Sequence, residues 1–256
     1  MKRLVIKVGT AVLTQDGQLA LERMDNLVNL ISKLKNEKNL QVILVSSGAV
    51  GAGFTSLKLD KKIVANKQAL AAIGQPLLLK HYKKRFKQHN IVCAQMLFIA
   101  DDFDSRKRSK NAQNVMEILL DNNILPIINE NDVIATEELV FGDNDQLAAH
   151  VAYYFKADML AILSDIDGYY NKNPREFSDA ILQKNISQID SSQLQMKHSA
   201  NSEFATGGIV TKLKAADFLM KKGIPMYLSS GFDLTNAYDF LVEGNHKSGT
   251  VFQSIK

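Results

Sequence analysis

Two lysines stand where a lysine is chemically out of place. Lys7 interrupts the apolar run Leu4-Val5-Ile6-Lys7-Val8, two residues before Gly9-Thr10. A lysine at a strand end can snorkel to water, but beside a glycine its ammonium can also hold a phosphate that the open backbone lets approach. Lys212 closes the segment Ala205-Thr206-Gly207-Gly208-Ile209-Val210-Thr211-Lys212 and leads into Leu213, Ala216, Leu219 and Met220 at helical spacing. That puts it in or near a first helical turn, where the dipole disfavours a cation by about 0.3–1 kcal/mol. A bound anion reverses the sign, because a charge pair at about 4 Å is worth roughly 4 kcal/mol at an effective dielectric near 20.

The segment from Ser47 to Gly53 supplies small residues and backbone N–H groups at a strand-to-helix turn, an arrangement suited to anions. Ser56 stands where a Gly-x-Gly-x-x-Gly beginning at Gly51 needs glycine, and no Gly-x-x-x-x-Gly-Lys-Ser/Thr occurs. Rossmann dinucleotide binding and P-loop chemistry are therefore set aside. Acidic and amide groups gather in Asn131-Asp132 and Gly142-Asp143-Asn144-Asp145. Asp143 or Asn144 can cap the helix that follows. Four such groups exceed one cap; together they can receive a substrate ammonium or align lysines that would otherwise repel.

The elements that must position these residues follow from periodicity. Short β-branched runs ending in Gly, Ser, Asn or Asp alternate with longer helical patterns, as parallel strands and crossover helices do. Strands are predicted over 4–8, 42–46, 91–97, 125–128, 159–163 and 225–228. Helices are predicted over 21–36, 61–88, 105–121, 145–156 and 211–222, with Gly223 as the last stop. The expected fold is a three-layer α/β/α sandwich with a mostly parallel central sheet. Ligands of such sheets sit beyond the carboxyl ends of the strands, and four unusual segments directly follow strands: Lys7-Val8-Gly9-Thr10, the run from Ser46 to Gly53, Asn129-Glu130-Asn131-Asp132 and Ser164-Asp165-Ile166-Asp167-Gly168.

The 256 residues are 46% hydrophobic, enough for a large core, and no linker-like or repeated stretch divides them, so one domain over residues 1–256 is expected. No apolar run approaches the ~18 residues of a spanning helix, and the lysine and glycine after Ile6 cut short any signal-like start. One cysteine, Cys93, permits no internal disulfide and fits a reducing, cytoplasmic setting; its apolar neighbours make it a buried small hydrophobe. The net charge of +4 is mostly local. Lys80, Lys83, Lys84 and Lys87 recur opposite Leu78, Tyr82 and Phe86 as a solvated helix face, while Arg106, Lys107, Arg108 and Lys110 could meet phosphates. With no interleaved aromatics or nucleic-acid motif, neither nucleic acid nor membrane is an expected partner.

A series of these segments, in order, resembles the amino acid kinase family, in particular the members that phosphorylate the side-chain carboxylate of glutamate, the first step of proline synthesis. They are Lys7-x-Gly9-Thr10, Ser46-Ser47-Gly48-Ala49, Gly74-Gln75, Ile128-Asn129-Glu130-Asn131-Asp132, Gly142-Asp143-Asn144-Asp145 and Thr206-Gly207-Gly208-x-x-Thr211-Lys212. The resemblance implies that Lys7 and Lys212 stabilise the transferring phosphoryl group, with Asp145 holding them. It implies that Ser47, Asp132, Asp143 and Asn144 bind L-glutamate. Lys7, Ser164, Asp165, Thr206, Gly207, Gly208, Ile209, Val210, Thr211 and Lys212 would bind ATP, with Mg²⁺ held mainly through its phosphates rather than by protein ligands.

It further implies proline as a feedback inhibitor, a γ-glutamyl phosphate reductase downstream, and a homo-oligomer, dimer or tetramer. Many members carry a C-terminal PUA domain; the resemblance here is to the short form, so a single kinase domain without one is expected. Three residues depart from the usual pattern: Ala205 for glycine, Ser164 for threonine, and Asn173 for the aspartate of an Asp-Pro pair. The alternatives are other family acceptors, namely N-acetylglutamate, carbamate and nucleoside monophosphates, and a non-catalytic sensor. Retention of both lysines and Asp145 speaks against the sensor, which needs no transition-state charge.

Overall fold

The computed structural model describes residues 1–135, 144–174, 176–194 and 208–254. In chain order the elements are β1 (Arg3–Val8), α1 (Thr10–Leu13), the hairpin strands β2 (Thr14–Gln15) and β3 (Gln18–Leu19), α2 (Leu21–Asn36), β4 (Gln41–Ser46), α3 (Ala49–Ser56), α4 (Val64–Lys87), β5 (Cys93–Phe98) and α5 (Asp101–Asp104). There follow α6 (Arg106–Asp121), β6 (Leu125–Glu130), α7 (Asn144–Tyr154), β7 (Met159–Ser164), β8 (Asn185–Ile186), α8 (Ser191–Leu194), α9 (Gly208–Lys221), β9 (Met226–Ser230), α10 (Thr235–Leu241) and β10 (Thr250–Phe252).

The sheet order is β5-β6-β4-β1-β7-β9-β10-β8, parallel throughout except where β10 runs antiparallel to β9. β1 lies at the centre, in register with β4 on one side (Lys7 opposite Val45) and β7 on the other (Lys7 opposite Ile162). The chain moves outward from β1 through β4 and then returns to its far side at β7, so the topological switch, where such sheets open a ligand crevice, is at the end of β1.

Because side chains alternate along a strand, β1 and β4 feed two separate cores. Leu4, Ile6, Val8, Val42 and Leu44 pack under α2 and α4, against Leu27, Ile31, Tyr82 and Phe86. Val5, Ile43 and Val45 face the other way, towards Leu147 and Val151 of α7 and Leu213 and Leu219 of α9. Lys7 shares the parity of Val5, and this is why its side chain enters the layer built by α7 and α9.

All six predicted strands and five predicted helices are present. α4 begins at Val64 rather than near 61, because the Asp60 carboxylate accepts the Lys62 N–H (2.9 Å) in a local turn that precedes the helix. α9 begins at Gly208, so Lys212 is its fifth residue, next to the first turn as expected. The hairpin, the short helices α1, α3, α5, α8 and α10, the short strand β8 and the antiparallel β10 were not anticipated; two- and three-residue strands carry no readable alternation, and helices of this length span too few turns for a readable period. The helix face with Lys80, Lys83, Lys84 and Lys87 is solvent-exposed, with Leu78, Tyr82 and Phe86 buried, as expected. Cys93 differs from expectation: β5 is the edge of the sheet, so the residue is half-buried, and desolvation pushes its thiol up to about 12.

Candidate active site

The site is built at the carboxyl ends of β1, β4, β6 and β7, and a buried charge cluster lies at its centre. Asp145, the second residue of α7, is 0% exposed. Its Oδ1 lies 2.5 Å from Lys7 Nζ and its Oδ2 lies 3.0 Å from Lys212 Nζ. Lys7 is 2% exposed and Lys212 4%. Lys212 Nζ also donates to the Gly208 carbonyl (2.9 Å), and the Thr211 hydroxyl lies 3.1 Å from both Asp145 Oδ2 and that carbonyl. The helix thus bends the lysine back over its own first turn, and the side-chain amide of Gln146 fastens that turn by donating to the Thr211 carbonyl (2.8 Å).

Taking two ammoniums and one carboxylate out of water costs several kcal/mol per ion, which a good pair recovers only in part. In this trio two cations share one anion, so positive charge is in excess. Gly9 lies directly beside it: a Cβ there would touch Lys7 Nζ at 3.9 Å, an ordinary van der Waals distance.

On one flank, amides and hydroxyls form a second cluster. Asn144 Nδ2 lies 2.9 Å from Ser47 Oγ, 2.8 Å from Asn129 Oδ1 and 3.2 Å from the Ser46 carbonyl. Asn144 therefore does not cap α7 with its side chain; its amide crosses to β4 and β6. Asn129 Nδ2 donates to Gln75 Oε1 of α4 (2.9 Å). Ser46 Oγ, at the end of β4, donates to the Ser47 carbonyl (3.0 Å), so the Tyr82 hydroxyl 2.8 Å away is the donor in their mutual bond.

The chain then turns sharply through Gly48, whose φ of +102° suits glycine, and enters α3. The Ser47 N–H is spent on the Val8 carbonyl (3.3 Å), so it is not among the N–H groups that this segment can offer an anion. The first intrahelical bond is from Ala52 to the Gly48 carbonyl, which leaves the preceding N–H groups as the orphan donors of α3. α3 is held by a very close crossing with α4: a Cβ on Gly53 would lie 1.9 Å from the Leu70 carbonyl oxygen, and one on Gly74 1.8 Å from that of Ala49. Asp132 lies half-buried in the turn after β6, and desolvation raises its carboxyl above the ordinary value.

On the other flank, β7 ends at buried Ser164, whose hydroxyl donates to the exposed Asp165 carboxylate (2.8 Å). Gly208, Ile209 and Val210 form the first turn of α9. Asp143, Thr206 and Gly207 lie outside the described residues.

Of the remaining expected site residues, Lys7, Asp145 and Lys212 are brought together, as are Ser47 and Asn144; Asp132, Ser164 and Asp165 lie on the same edge of the sheet without a described bond to either group. Sequence reading assigned no role to Asn129, Gln75 or Tyr82. The available signal was an asparagine closing an otherwise apolar strand, Leu-Pro-Ile-Ile-Asn. Arg106, Lys107, Arg108 and Lys110 lie exposed at the start of α6, where Arg108 pairs locally with Asp102 (3.4 Å). Among the described residues no group of three or more His, Cys, Asp or Glu is arranged to hold a metal ion.

Residues 2–230 match the amino acid kinase family. A glutamate 5-kinase of Wolinella succinogenes is 55% identical over 98% of this chain and 98% of its own length, and one of Leishmania donovani is 51% identical over 99% and 96%. Among solved structures, the carbamate kinase from Giardia lamblia bound to AMP-PNP superposes with a TM-score of 0.68 over 99% of both chains at 17% identity, a likeness of fold.

Proposed function

This chain belongs to the amino acid kinase family, and from that premise we infer that it transfers the γ-phosphoryl group of ATP to the side-chain carboxylate of L-glutamate, opening proline synthesis. The observation that carries the reading is the buried Lys7–Asp145–Lys212 cluster, with two ammoniums on one carboxylate at the switch point of the sheet.

A glutamate side chain has a reference pKa near 4.3 and is already anionic at neutral pH, so no general base is needed. A carboxylate oxygen attacks the γ-phosphorus, the bond from that phosphorus to the β-bridging oxygen breaks, and ADP leaves with the electron pair. The product is γ-glutamyl phosphate. The obstacle is repulsion between anions, which Lys7 and Lys212 offset where charge builds up. Asp145 holds both ammoniums in place before substrates arrive, so no reorganisation is needed at the moment of transfer.

The flanks divide the substrates. Ser47, Asn144, Asp132 and Asp143 take glutamate; Ser164, Asp165 and the segment 206–212 take ATP, whose polyanion matches the excess positive charge. Mg²⁺, riding on the phosphates, supplies further charge neutralisation. The reading extends to inhibition by proline, a homo-oligomeric assembly, a cytoplasmic setting and a reductase that consumes the acyl phosphate. Among the described residues no helix is long and apolar enough to cross a membrane.

The test is hydroxamate formation from purified protein, ATP, Mg²⁺ and hydroxylamine with glutamate, aspartate or N-acetylglutamate. Signal with glutamate, reduced about 10²–10³-fold in Lys212→Ala as for loss of one transition-state donor, is expected. Signal with only another acid would move the reading to that acceptor, and undiminished turnover in Lys212→Ala would remove the charge mechanism.

A further inference from the structure

We propose that Gln75 is a positioning residue that sets which way the Asn129 amide faces, and through it the seat of the Asn144 amide and the affinity for the amino-acid acceptor. The inference rests on the acceptor pocket assigned above and extends it one residue further back, into α4.

Counting hydrogens shows the constraint. The Asn144 Nδ2 group has two hydrogens and three oxygens within reach: Asn129 Oδ1 at 2.8 Å, Ser47 Oγ at 2.9 Å and the Ser46 carbonyl at 3.2 Å. The Ser46 carbonyl can only accept, and Asn129 Oδ1 can only accept. Both therefore demand the nitrogen side of Asn144, and the oxygen Oδ1 necessarily faces the opposite way, available to an acceptor's ammonium.

Asn129 presents Oδ1 to Asn144 only while its own nitrogen faces elsewhere. That nitrogen donates to Gln75 Oε1 at 2.9 Å. Were Asn129 turned over, its NH₂ would confront the NH₂ of Asn144, donor against donor. Asn129 is 3% exposed and Asn144 is buried, so water is poorly placed to repair such a mismatch. The three amides form a one-way relay, with each nitrogen directed at the next oxygen back towards α4.

Gln75 reaches the relay because α4 lies so close. Gly74, its immediate neighbour, lets the helix backbone press against α3. Tyr82, two turns along the same helix, reaches Ser46 in the same way, so α4 supports the acceptor side of the site at two points. The sequence pair Gly74-Gln75 then acquires a joint purpose: the glycine brings the helix in, and the amide uses the proximity.

The test uses three variants for which relay polarity and plain electrostatics predict opposite orders. In Gln75→Glu the new carboxylate only accepts, so the relay is preserved; Gln75→Met removes the bond; in Gln75→Lys the new ammonium only donates, so Asn129 must turn over. With an anionic acceptor, simple charge effects rank Gln75→Lys best and Gln75→Glu worst. The relay ranks them in reverse. The expected result is an acceptor KM within about 3-fold of wild type in Gln75→Glu, raised about 5- to 10-fold in Gln75→Met and more in Gln75→Lys, as for one buried hydrogen bond lost or reversed. The KM for ATP should stay within about 2-fold in all three, since the relay touches only the acceptor side.

A flat series, or the electrostatic order, would overturn the proposal. A second readout does not depend on turnover: in ¹⁵N-asparagine-labelled protein the Asn144 side-chain NH₂ pair, assigned by its loss in Asn144→Asp, should keep its position in Gln75→Glu and move in Gln75→Lys. Unchanged resonances in Gln75→Lys would also refute the relay. If wild-type protein fails to phosphorylate glutamate while the resonances behave as expected, the substrate assignment fails and the relay stands.

Discussion

Replacing Asp145 by asparagine keeps the shape of the site and removes only the charge that two buried lysines share. In the native cluster the carboxylate contacts Lys7 at 2.5 Å and Lys212 at 3.0 Å, with no exposed surface of its own. Breaking a buried pair by removing one partner typically costs about 3–5 kcal/mol. A second estimate limits this from above, because a buried lysine that loses a counter-ion can shed its proton. From a reference value near 10.4, neutralising an ordinary lysine at pH 7 costs about 4.6 kcal/mol, and about 1.4 kcal/mol less for each pH unit gained.

The two figures agree at roughly 3–5 kcal/mol, or a fall in Tm of about 6–20 °C for a chain of this size. The assay is thermal and urea denaturation of Asp145→Asn and wild type at pH 7 and pH 9, with and without tripolyphosphate. The deficit should shrink by at least about 1 kcal/mol at pH 9. Tripolyphosphate, which supplies the missing negative charge, should stabilise the variant more than the wild type. A variant within about 1 kcal/mol of wild type at pH 7, or a deficit independent of pH, would refute the reasoning.

Gly74→Ala would place a Cβ 1.8 Å from the Ala49 carbonyl oxygen, and since backbone must move to relieve this, a loss of about 1–3 kcal/mol in urea unfolding is expected, together with a raised acceptor KM as α3 and the Ser47–Gly48 turn shift. Burial raises the Asp132 carboxyl above its ordinary 3.8, so its contribution is most favourable below that value and is lost as pH rises through the raised folded value. Asp132→Asn should accordingly be the more stable protein at pH 7 in the absence of substrate, yet bind glutamate more weakly, which paired melts and KM measurements will show. Cys93, though half-exposed, has its thiol pushed up to about 12, so alkylation at pH 8 should run at least about 100-fold slower than for an ordinary cysteine of pKa near 8.5; labelling at the ordinary rate would contradict the environment assigned to it.

Local chemistry was sufficient to identify a great deal of this protein. Lys7 and Lys212 were conspicuous because an ammonium in an apolar strand or near a helix start is unfavourable without a partner, and that anomaly is readable from neighbours in the chain. Asp145 and Asn144 stood out as polar groups too numerous for one cap. The parallel strands were legible because both faces are buried, which leaves continuous apolar runs such as Val-Ile-Leu-Val in β4.

What sequence could not supply is which groups meet. That Asp145 bridges residues 7 and 212 depends on the parity of β1, which turns Lys7 to the α7/α9 face, and on the return of the chain to β7 across the switch point. That Asn144 turns away from its own helix to Ser47 and Asn129, and Asn129 to Gln75, depends on the approach of α3, α4 and β6, elements separated by tens of residues. Periodicity and propensity act over a few residues, whereas burial of a charge or the direction of an amide is settled only when distant segments close around it. The sequence by itself determined the reagents and the edge of the sheet they occupy; packing alone decided their pairing, because an ion or an amide is satisfied by whatever is nearest in space.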